Sequence, residues 1–497
     1  MRKIQKLLVA NRGEIALRVM RSAKEMGIQT VAIYSEADRN ALHVKFADEA
    51  VYIGKAPSNQ SYLLGDKIIE ICLQLNVDAI HPGYGFLSEN ALFARKVAQA
   101  GLIFIGPSPE SIEMMGSKIG AKRVAQQHQI PMVPGTPEAI TDIAQAKQAA
   151  QAIGYPILIK ASAGGGGKGM RIVETETDFE EQMQRAMSEA QSAFGDSAVF
   201  IEKFITSPKH IEIQILGDKY GNLIYLFERE CSIQRRYQKL IEEAPSPVVS
   251  PEMRKAMGEC AVRIAQACGY YSAGTVEFVV DEHYNFYFLE VNTRLQVEHP
   301  VTELITGIDL VKEQIRIAQD EKLNIKQEDL RILGHAIEVR VCAEDPKNNF
   351  LPEVGKLQVY KRPQGVGIRV DDGFEQGMEI PLFYDSMIAK LIAYGKDRHE
   401  AIARMKRAID EYQIVGIATT LEFCKFVLQH EQFLSGKFDT NFIKNFYQPE
   451  LLQQNLTEQE AEVAACVIAY LLDHAQPKAS AMQTVATVQS NWKRNRT

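Results

Sequence analysis

The first hundred residues alternate short apolar runs with segments whose apolar side chains recur at helical spacing. The apolar runs are residues 6–10, 30–34, 78–80 and 103–105. Between them, residues 14–26 and 64–75 each carry an apolar stripe with a repeat of three or four positions. Alternation of this kind is typical of β-α-β units, so it predicts an α/β fold built on a parallel, doubly wound sheet.

The pattern changes after this region. Residues 135–153 are rich in alanine and predict a helix, and residues 156–160 predict a buried strand that leads into a run of glycines. Strand and hairpin signals dominate residues 198–291, where apolar and polar residues alternate over 210–215. Residues 456–474 predict one amphipathic helix, which a polar, loosely held tail follows.

Composition limits the classes of protein to which the chain can belong. Its 497 residues are 46% hydrophobic and 24% charged, which predicts a soluble globular protein of two to four domains. The net charge of -7 argues against a broad positive field for nucleic acid or an anionic membrane. The apolar run at 7–10 is too short for a signal peptide, and no stretch reaches the roughly 18 apolar residues of a membrane span. We therefore expect a cytoplasmic protein.

The seven cysteines are odd in number and never form a Cys-x-x-Cys pair. This spacing argues against a disulfide framework or a structural zinc site. Buried free thiols are the expected state.

A run of glycines follows the strand predicted at 156–160. Because residues 164–167 have no Cβ atoms, backbone amides there can approach phosphate oxygens closely. The run is not a P-loop, since that motif needs glycine where Ser162 stands and Ser or Thr where Gly169 stands. Lys160 and Lys118 strengthen the interpretation as a phosphate site, and the alternative is a flexible turn.

Two apolar runs around a short polar turn predict an antiparallel hairpin. The runs are residues 275–280 and 285–292. Pairing of Asp281 with Phe286 would place Glu277 opposite Glu290, and Asn292 would then lie on the same face. Opposed carboxylates in apolar strands are destabilising unless a cation lies between them, and magnesium is the natural candidate. The alternative is that both carboxylates face water.

Residues 292–303 concentrate a guanidinium, an amide and a carboxylate just after the predicted metal ligands. Arg294 offers a planar fork for a small oxyanion such as bicarbonate, and a nearby carboxylate can act as a general base. His299 is interpreted as a structural hydrogen-bonding residue. Further basic residues lie at 234–239 and at Arg340, although each alone is more often solvated or ion-paired than bound to a ligand.

Together these stretches resemble the biotin carboxylase family, whose fold is of the ATP-grasp type. The resemblance covers about residues 3–447, and its most specific part is the Arg-Leu-Gln-Val-Glu-His-Pro sequence that begins at Arg294. Other matching stretches are residues 10–16, 81–90 and 384–387. It implies a Rossmann-like N-terminal domain, an ATP-grasp domain with a mobile lid, and a mixed C-terminal domain. The implied boundaries are 1–115, 116–332 with the lid at about 130–204, 333–447, and a helical extension and tail at 448–497.

The resemblance also implies which residues bind ATP and metal. ATP phosphates would be held by Lys118, Lys160 and the backbone amides of Gly165 and Gly166, and adenine would face Glu202, Lys203 and Ile205. The nucleotide site would be lined by His210 and Gln234, and two magnesium or manganese ions would be held by Glu277, Glu290 and Asn292.

For the reaction itself, the resemblance implies a bicarbonate site made by Lys239, Arg294, Gln296, the backbone of Val297 and Glu298. Glu298 would remove the bicarbonate proton, and attack on the γ-phosphate would give carboxyphosphate and ADP. Carbon dioxide released beside biotin would then react at the ring nitrogen, whose proton the phosphate abstracts. Arg340 would stabilise the enolate-like biotin anion, and Tyr84 would lie near biotin.

The sequence has no Ala-Met-Lys-Met or Val-Met-Lys-Met site for biotin attachment. The resemblance therefore implies a separate biotin carboxyl carrier protein and a carboxyltransferase subunit, with no nucleic-acid or membrane partner. It also implies a homodimer, since Arg21, Glu25 and Asp385 match positions near the family's dimer contact. The chain departs from the family at Tyr237, where many members have His, and after Gln448, where no catalytic part is matched.

Two alternatives remain. Another ATP-grasp ligase, such as a carbamoyl-phosphate or purine-pathway enzyme, would keep the glycine loop and the paired carboxylates but would have a different acceptor pocket. A catalytically silent ATP-binding regulator would have lost metal ligands or the base, whereas Glu277, Glu290, Lys239 and Glu298 are all present. The final carboxyl acceptor stays open among acetyl-CoA, propionyl-CoA and pyruvate systems.

Overall fold

A computed structural model describes residues 3–116, 118–162, 170–194, 196–452 and 458–474. The N-terminal strands form a five-stranded parallel sheet in the order β3-β2-β1-β4-β5. Its elements are β1 (Lys6–Val9), α1 (Gly13–Glu25), β2 (Gln29–Ser35), α2 (Leu42–Phe46), β3 (Glu49–Gly54), α3 (Gly65–Gln74), β4 (Ala79–His81), α4 (Ala91–Gln99) and β5 (Ile103–Phe104). The predicted parallel α/β sheet is confirmed, although β3, α2 and α4 were not predicted.

The apolar stripe of α1 explains how this helix packs on the sheet. Ile15, Val19 and Ala23 are buried in one core cluster with Leu7 and Val9 of β1. Because these residues share one face of the helix, burying them fixes the orientation of the start of α1, where Glu14 lies.

A second, three-stranded antiparallel sheet has the order β7-β6-β8. The elements of this region are α5 (Pro109–Gly116), α6 (Lys118–Gln127), α7 (Ile143–Ile153), β6 (Ile157–Ala161), β7 (Met170–Val173), α8 (Phe179–Phe194) and β8 (Val199–Lys203). The helices α7 and α8 pack on the sheet and enclose a core cluster of its own. The strand predicted at 156–160 is confirmed.

The helix predicted over 135–153 is wrong in its first half. Only α7 is helical, while Gly135 and Ile140 make isolated bridges to β8. Prolines precede and interrupt this stretch, and the residue before a proline avoids the helical conformation. The carboxylate of Asp142 accepts a 2.7 Å hydrogen bond from the Gln145 backbone amide, which caps the helix and sets its start.

The third and largest sheet has eight strands in the order β13-β12-β9-β10-β11-β14-β19-β18, with every neighbouring pair antiparallel. Its first part contains β9 (Lys209–Gly217), β10 (Leu223–Arg235), β11 (Gln238–Ala244), α9 (Pro251–Ala267), β12 (Ser272–Val280), β13 (Phe286–Asn292), α10 (His299–Thr306) and α11 (Leu310–Ala318). The sheet continues through β14 (His335–Cys342), β18 (Ile368–Asp372) and β19 (Met387–Gly395). One sheet therefore crosses the domain boundary expected near residue 332.

The helix α9 was not predicted inside the strand-rich region. Its start is nevertheless encoded, because the Ser250 side chain accepts a hydrogen bond from the Met253 amide and Pro251 occupies the first turn. Met257, Ala261 and Ile264 then recur at helical spacing and are buried in the core cluster that also contains Ile211, Ile213 and Ile215 of β9. The apolar face of β9 is thus covered by α9, which leaves the polar face of the strand for the opposite side of the sheet.

The remaining elements follow the large sheet. They are β15 (Glu344–Asp345), β16 (Leu351–Pro352), β17 (Val359–Lys361), α12 (Arg398–Glu411), β20 (Gln413–Val415), α13 (Leu421–Gln429), α14 (Glu431–Leu434) and α15 (Phe442–Phe446). The mixture expected over 333–447 and the predicted overall fold class are confirmed.

Residue contacts divide the chain into two units, Met1–Pro449 and Glu450–Thr497. The second unit contains α16 (Glu458–His474), which lies within the helix predicted at 456–474. No helix in the described part of the chain is both long and apolar enough to cross a bilayer. All seven cysteines are free, and six are buried while Cys466 is exposed.

Candidate active site

The polar face of β9 is the floor of the candidate site. Glu212 of β9 pairs directly with Glu277 of β12, and Glu277 pairs on its other side with Glu290 of β13. On the neighbouring hairpin, Gln234 of β10 pairs with Lys239 of β11. Strand register therefore brings charged residues from four strands, and the amide of Gln234 from a fifth, into one region of the sheet.

The pairing of Glu277 with Glu290 is confirmed, but the register from which it was predicted is wrong. Phe286 pairs with Val280 rather than with Asp281. A bulge between Glu277 and Phe278 shifts the register by one residue, so the two carboxylates are opposite each other despite the different hairpin end.

The ammonium group of Lys239 lies among three carboxylates. It donates to Glu212 Oε2 at 2.5 Å, Glu298 Oε1 at 2.6 Å and Glu277 Oε1 at 3.0 Å. Burial opposes the charge of this lysine, yet the three carboxylates raise the pKa of Lys239 well above its usual value. The lysine is therefore a fixed positive charge at neutral pH.

The carboxylate of Glu277 is surrounded by donors from the protein. Besides the contact with Lys239, Oε1 accepts from Gln296 Nε2 at 2.7 Å and Asn292 Nδ2 at 2.9 Å, and Oε2 lies 2.9 Å from His210 Nε2. Burial would raise the pKa of Glu277, but Lys239 and His210 hold it well below its usual value. Glu277 is thus ionised, whereas its partner Glu290 is solvent-exposed.

Glu298 lies between two cations. Its Oε1 accepts from Lys239, and its Oε2 accepts from the Arg340 guanidinium at 3.0 Å. Arg340 is held in turn by Glu242, whose Oε1 is 2.6 Å from Arg340 Nε. Although burial acts in the opposite direction, Lys239, Arg340 and Arg229 lower the pKa of Glu298 below its usual value.

Arg229, whose side chain is completely buried, joins the floor of the site to the residues above it. Its guanidinium donates to Glu212, Gln214 (2.6 Å), Thr302 (2.9 Å), Gln296 Oε1 (2.9 Å) and Thr275 (3.0 Å). The amide of Gln296 is therefore held at both ends, by Arg229 and by Glu277. A fixed amide of this kind can orient a small ligand without rearranging.

Arg294, just after β13, connects the site to Glu89 of the N-terminal region. It donates to Glu89 Oε2 at 2.9 Å and to Asn292 Oδ1 at 3.0 Å, and its side chain keeps 21% exposure. Because Asn292 also contacts Glu277, Arg294 belongs to the same polar network as Lys239. His299 is buried with Nδ1 2.8 Å from the Gln296 carbonyl oxygen, as expected for a structural residue.

The predicted metal ligands form an oxygen-rich group on β12 and β13, the two strands at one edge of the eight-stranded sheet. Glu277 and Glu290 are cross-strand partners, and the Asn292 side chain contacts Glu277. Carboxylate and amide oxygens are the donors that magnesium prefers, so these residues fit the ion. The cation that neutralises Glu277 in the present arrangement is Lys239, and His210 is a second close partner of the same carboxylate.

The three-stranded sheet supplies the other predicted nucleotide residues. Lys160 of β6 and Glu202 of β8 form an ion pair, and Lys160 keeps 34% side-chain exposure. The ammonium of Lys203 instead donates to the carbonyls of Gly154 (3.0 Å) and Tyr155 (2.9 Å), so this side chain braces the loop before β6. Ile205 follows β8 and is partly exposed.

Three predicted phosphate contacts fall wholly or partly outside the described residues. Gly165 and Gly166 lie there entirely, and for Lys118 only its place at the start of α6 is described. The two remaining site residues are described. The Tyr84 hydroxyl donates to Glu14, and the Val297 carbonyl accepts a 2.9 Å hydrogen bond from Lys390.

Sequence reasoning missed five residues of this network, namely Glu212, Arg229, Glu242, Glu89 and Lys390. A signal existed for Glu212, since it alternates with isoleucines in β9 and so had to share the face of His210. Arg229 lies in a run of three charged residues, Glu228 to Glu230, inside a long strand, which is unusual unless the charges are paired. Lys390 has no local signal, because its partners are distant in sequence.

Three family models match the chain in sequence order. The model of the biotin carboxylase N-terminal domain matches residues 3–112, and that of the biotin carboxylase C-terminal domain matches residues 338–445. Between them, the model of the carbamoyl-phosphate synthase L chain ATP-binding domain matches residues 117–326.

Individual proteins resemble the chain over most of its length. Biotin carboxylase 1 of Bacillus subtilis is 52% identical over 89% of this chain and 99% of that protein. The propionyl-CoA carboxylase alpha chain of Ruegeria pomeroyi is 50% identical over 93% of this chain and 71% of that protein. The biotin carboxylase domain dimer of Hydrogenobacter thermophilus 2-oxoglutarate carboxylase, solved with magnesium ADP, ADP and bicarbonate, has a TM-score of 0.84 at 48% identity, covering 92% of this chain and 100% of that chain.

Proposed function

Because this chain belongs to the biotin carboxylase family, we propose that the charged cluster around Lys239 is where its reaction takes place. The protein is a ligase that uses ATP to carboxylate biotin. One observation carries the assignment of the site. A single buried ammonium lies within 3.0 Å of three carboxylates, one of which, Glu298, also binds Arg340.

Bicarbonate binds among Arg294, Lys239, Gln296 and the backbone of Val297. Support comes from the charges, since Arg294 and Lys239 are linked through Asn292 and Glu277 and can hold one small anion between them. The fixed amide of Gln296 adds a donor that needs no reorganisation when the ligand arrives.

Glu298 is the general base, and its surroundings suggest how it becomes one. With both oxygens held by cations, its carboxylate has a low affinity for a proton. Bicarbonate and the ATP phosphates compete for Lys239 and Arg340, so their binding weakens these contacts. The pKa of Glu298 then rises towards the range in which proton transfer from bicarbonate is effective.

Deprotonated bicarbonate attacks the γ-phosphorus of ATP, the bond to the β-phosphate oxygen breaks, and carboxyphosphate and ADP form. Carboxyphosphate then splits into carbon dioxide and phosphate, and the phosphate takes the proton from the biotin ring nitrogen. Arg340 stabilises the resulting biotin anion, and Tyr84 contacts biotin. The deprotonated ring nitrogen then bonds to the carbon of carbon dioxide, which gives carboxybiotin. Arg340 suits its stabilising role because its guanidinium is aligned by Glu242 before any ligand binds.

The nucleotide lies between the large sheet and the three-stranded sheet. Lys118, Lys160, Gly165 and Gly166 bind its phosphates, and Glu202, Lys203 and Ile205 face the adenine, next to His210 and Gln234. The partly exposed Lys160 ammonium supports this assignment. Magnesium held by Glu277, Glu290 and Asn292 would neutralise phosphate charge.

The domain boundaries at 115, 332 and 447 are part of this proposal. The extents of the three family models support them, and the separate core of the three-stranded sheet supports a lid at about 130–204. Partners are proposed on the same basis. They are a biotin carboxyl carrier protein, a carboxyltransferase subunit and a second copy of the chain, whose contact includes Arg21, Glu25 and Asp385.

A direct test measures ADP release from purified protein with ATP and magnesium. We expect release to need bicarbonate, to increase when free biotin is added, and to accompany transfer of labelled carbon from bicarbonate to biotin. ATP binding without bicarbonate-dependent release would contradict the proposal and favour a silent ATP-binding protein. Bicarbonate-dependent release that biotin does not stimulate would instead favour an ATP-grasp ligase with another acceptor.

A further inference from the structure

Lys390 is a charged residue in the middle of a buried strand. It lies in β19, its side chain has no solvent exposure, and its neighbours across the sheet are Arg340 of β14 and Asp371 of β18. Lysine is almost never fully buried unless it is paired, because removing an ammonium from water has a large energetic cost. The contacts of this ammonium therefore need a specific explanation.

Two of these contacts are close. Lys390 Nζ donates to the Val297 carbonyl oxygen at 2.9 Å and lies 3.3 Å from Glu14 Oε2, while Asp371 Oδ2 is more distant at 4.0 Å. The carbonyl belongs to the peptide group that joins Val297 to Glu298. A charge-assisted hydrogen bond to this carbonyl fixes the plane of that peptide and with it the origin of the Glu298 side chain.

The local backbone makes this restraint important. Glu298 stands just before α10 with φ of -81° and ψ of 11°, so it is outside the regular helix that begins at His299. The preceding residues, from Thr293 to Val297, form no strand or helix. A catalytic side chain on such a segment depends on individual contacts for its position, and Lys390 supplies one at the adjacent peptide.

Glu14 is the second close neighbour of the Lys390 ammonium. It is buried at the start of α1, and its Oε1 accepts a hydrogen bond from the Tyr84 hydroxyl. Gly373, which follows β18, packs so closely that a Cβ atom there would lie 2.8 Å from the Glu14 backbone nitrogen. Burial raises the pKa of Glu14 to about 7, and the ammonium of Lys390, 3.3 Å from Oε2, opposes that rise. The Glu14 carboxylate therefore lies where it can neutralise Lys390 when it is ionised.

We propose that Lys390 and Glu14 form a positioning pair that fixes the Val297–Glu298 peptide for proton abstraction from bicarbonate. Lys390 holds the carbonyl, and Glu14 allows the ammonium to be buried. This role rests on the proposed function of Glu298 as the base. The pair connects α1 of the N-terminal region and β19 of the large sheet to the segment from Thr293 to Glu298, which contains the proposed base.

The test compares Lys390→Met with the double variant E14Q/K390M. Lys390→Met removes the hydrogen bond and leaves a buried carboxyl without its cation, so both activity and stability fall. The double variant removes both charges, so stability recovers while the carbonyl contact stays absent. Since a displacement of about 1 Å can reduce a rate about 100-fold, we expect both variants to lose 10- to 100-fold in kcat/KM for bicarbonate. The KM for ATP should change less than about threefold in the same assays.

Arg254→Met is the matched control. Arg254 lies on α9, on the side of the sheet away from the site, and its partly buried guanidinium pairs with the fully buried Glu228 at 2.6 and 2.7 Å. Its loss should lower stability without changing kcat/KM for bicarbonate.

Full activity in a stable E14Q/K390M variant would overturn the positioning role, because the pair would then serve folding alone. An equal loss in kcat/KM for bicarbonate and in ATP affinity would also contradict it. If Lys390→Met cannot be purified, the double variant decides the question. Wild-type protein without bicarbonate-dependent ADP release would overturn the proposed function itself, so the two failures are distinguishable.

Discussion

Lys239 and Lys160 both pair with glutamates, but their surroundings differ. Lys239 contacts Glu212, Glu277 and Glu298 and has 10% side-chain exposure, whereas Lys160 pairs with Glu202 and keeps 34%. The charges of the large sheet are thus arranged around one another before ligands bind, while the ammonium on the three-stranded sheet is still accessible. A buried group that loses its counter-charge is severely destabilised, but an exposed ion pair contributes little to folding.

The charged residues of the two sheets therefore have different physical roles in the candidate site. On the large sheet, each charge restrains its neighbours, so one substitution should affect both folding and chemistry. On the three-stranded sheet, a substitution should affect ligand binding with little effect on folding. Four substitutions test this division, starting with the one that removes the most contacts.

Lys239→Met should have the largest effect. It leaves three buried carboxylates without their shared cation, so we expect a loss of about 3–5 kcal/mol in the free energy of unfolding. Bicarbonate-dependent ADP release should fall about 1000-fold or more, since a charge that stabilises the reacting anions is gone. Denaturant unfolding and ADP release measure the two effects. Lys326→Met is the control, because Lys326 is solvent-exposed with a side-chain exposure of 74%.

Retention of stability in Lys239→Met would contradict the picture of mutually dependent charges. It would mean that Arg229, Arg340 and His210 neutralise the carboxylates without the lysine.

Glu298→Gln should separate chemistry from folding on the large sheet. The amide keeps an oxygen that can accept from Lys239 or Arg340, so the loss in unfolding free energy should be smaller than for Lys239→Met. Without a base, bicarbonate-dependent ADP release should fall about 100- to 10,000-fold. Glu328→Gln, at an exposed position, is the matched control. Near-normal release by Glu298→Gln would remove Glu298 from the role of base.

Lys160→Met should affect ATP binding more than it affects folding, unlike the substitutions on the large sheet. Glu202 is buried, but the Lys160 ammonium keeps 34% exposure and is already partly solvated. The loss in free energy of unfolding should therefore be about 1 kcal/mol, which is smaller than for Lys239→Met. The KM for ATP should rise about tenfold, which corresponds to roughly 1.4 kcal/mol of lost binding. Lys147→Met on α7 is the control, since Lys147 contacts Glu180 on the same part of the molecule. A large loss of stability without a change in KM for ATP would contradict the division between the two sheets.

Some of this arrangement could be predicted from the sequence because it is local. The strand that contains Lys160 follows from a short apolar run, and the opposition of Glu277 to Glu290 follows from pairing within one predicted hairpin. Even there, the correct pairing depended on a bulge at Glu277 that the apolar pattern does not encode. Local sequence patterns therefore predict which residues belong to the site more reliably than they predict how those residues are arranged.

Contacts between distant segments could not be predicted in this way. Lys390 is 93 residues from Val297 and still farther from Glu14, and no spacing rule links them. Arg229 lies in an unusual run of charged residues, but its partners Gln296 and Thr302 are 67 and 73 residues away in sequence. Such residues share no motif, since their proximity is created by the order of strands in the eight-stranded sheet.

Substitution of Glu338 should have the smallest effect of the four. Among the charged residues of the large sheet, Glu338 is the exception. It is fully buried opposite Glu242, and neither of its carboxylate oxygens has a hydrogen-bond partner within the described ranges. Burial raises the pKa of Glu338 well above its usual value, an effect that Glu242 and Glu298 reinforce and that Lys390 and Arg340 oppose. The folded protein thus keeps a proton that the unfolded chain releases above a pH of about 4.3.

A group of this kind lowers stability as pH rises, because the folded state binds more protons than the unfolded state. Glu338→Gln removes that dependence while keeping a neutral side chain of similar shape. At pH 5 we expect the variant to lie within about 1 kcal/mol of the wild type, and at pH 8 its stability relative to the wild type should be higher than at pH 5. Thermal unfolding of both proteins at the two pH values measures this shift. A variant that is strongly destabilised at pH 8 would show that Glu338 is ionised, and that it belongs with Glu298 among the paired charges.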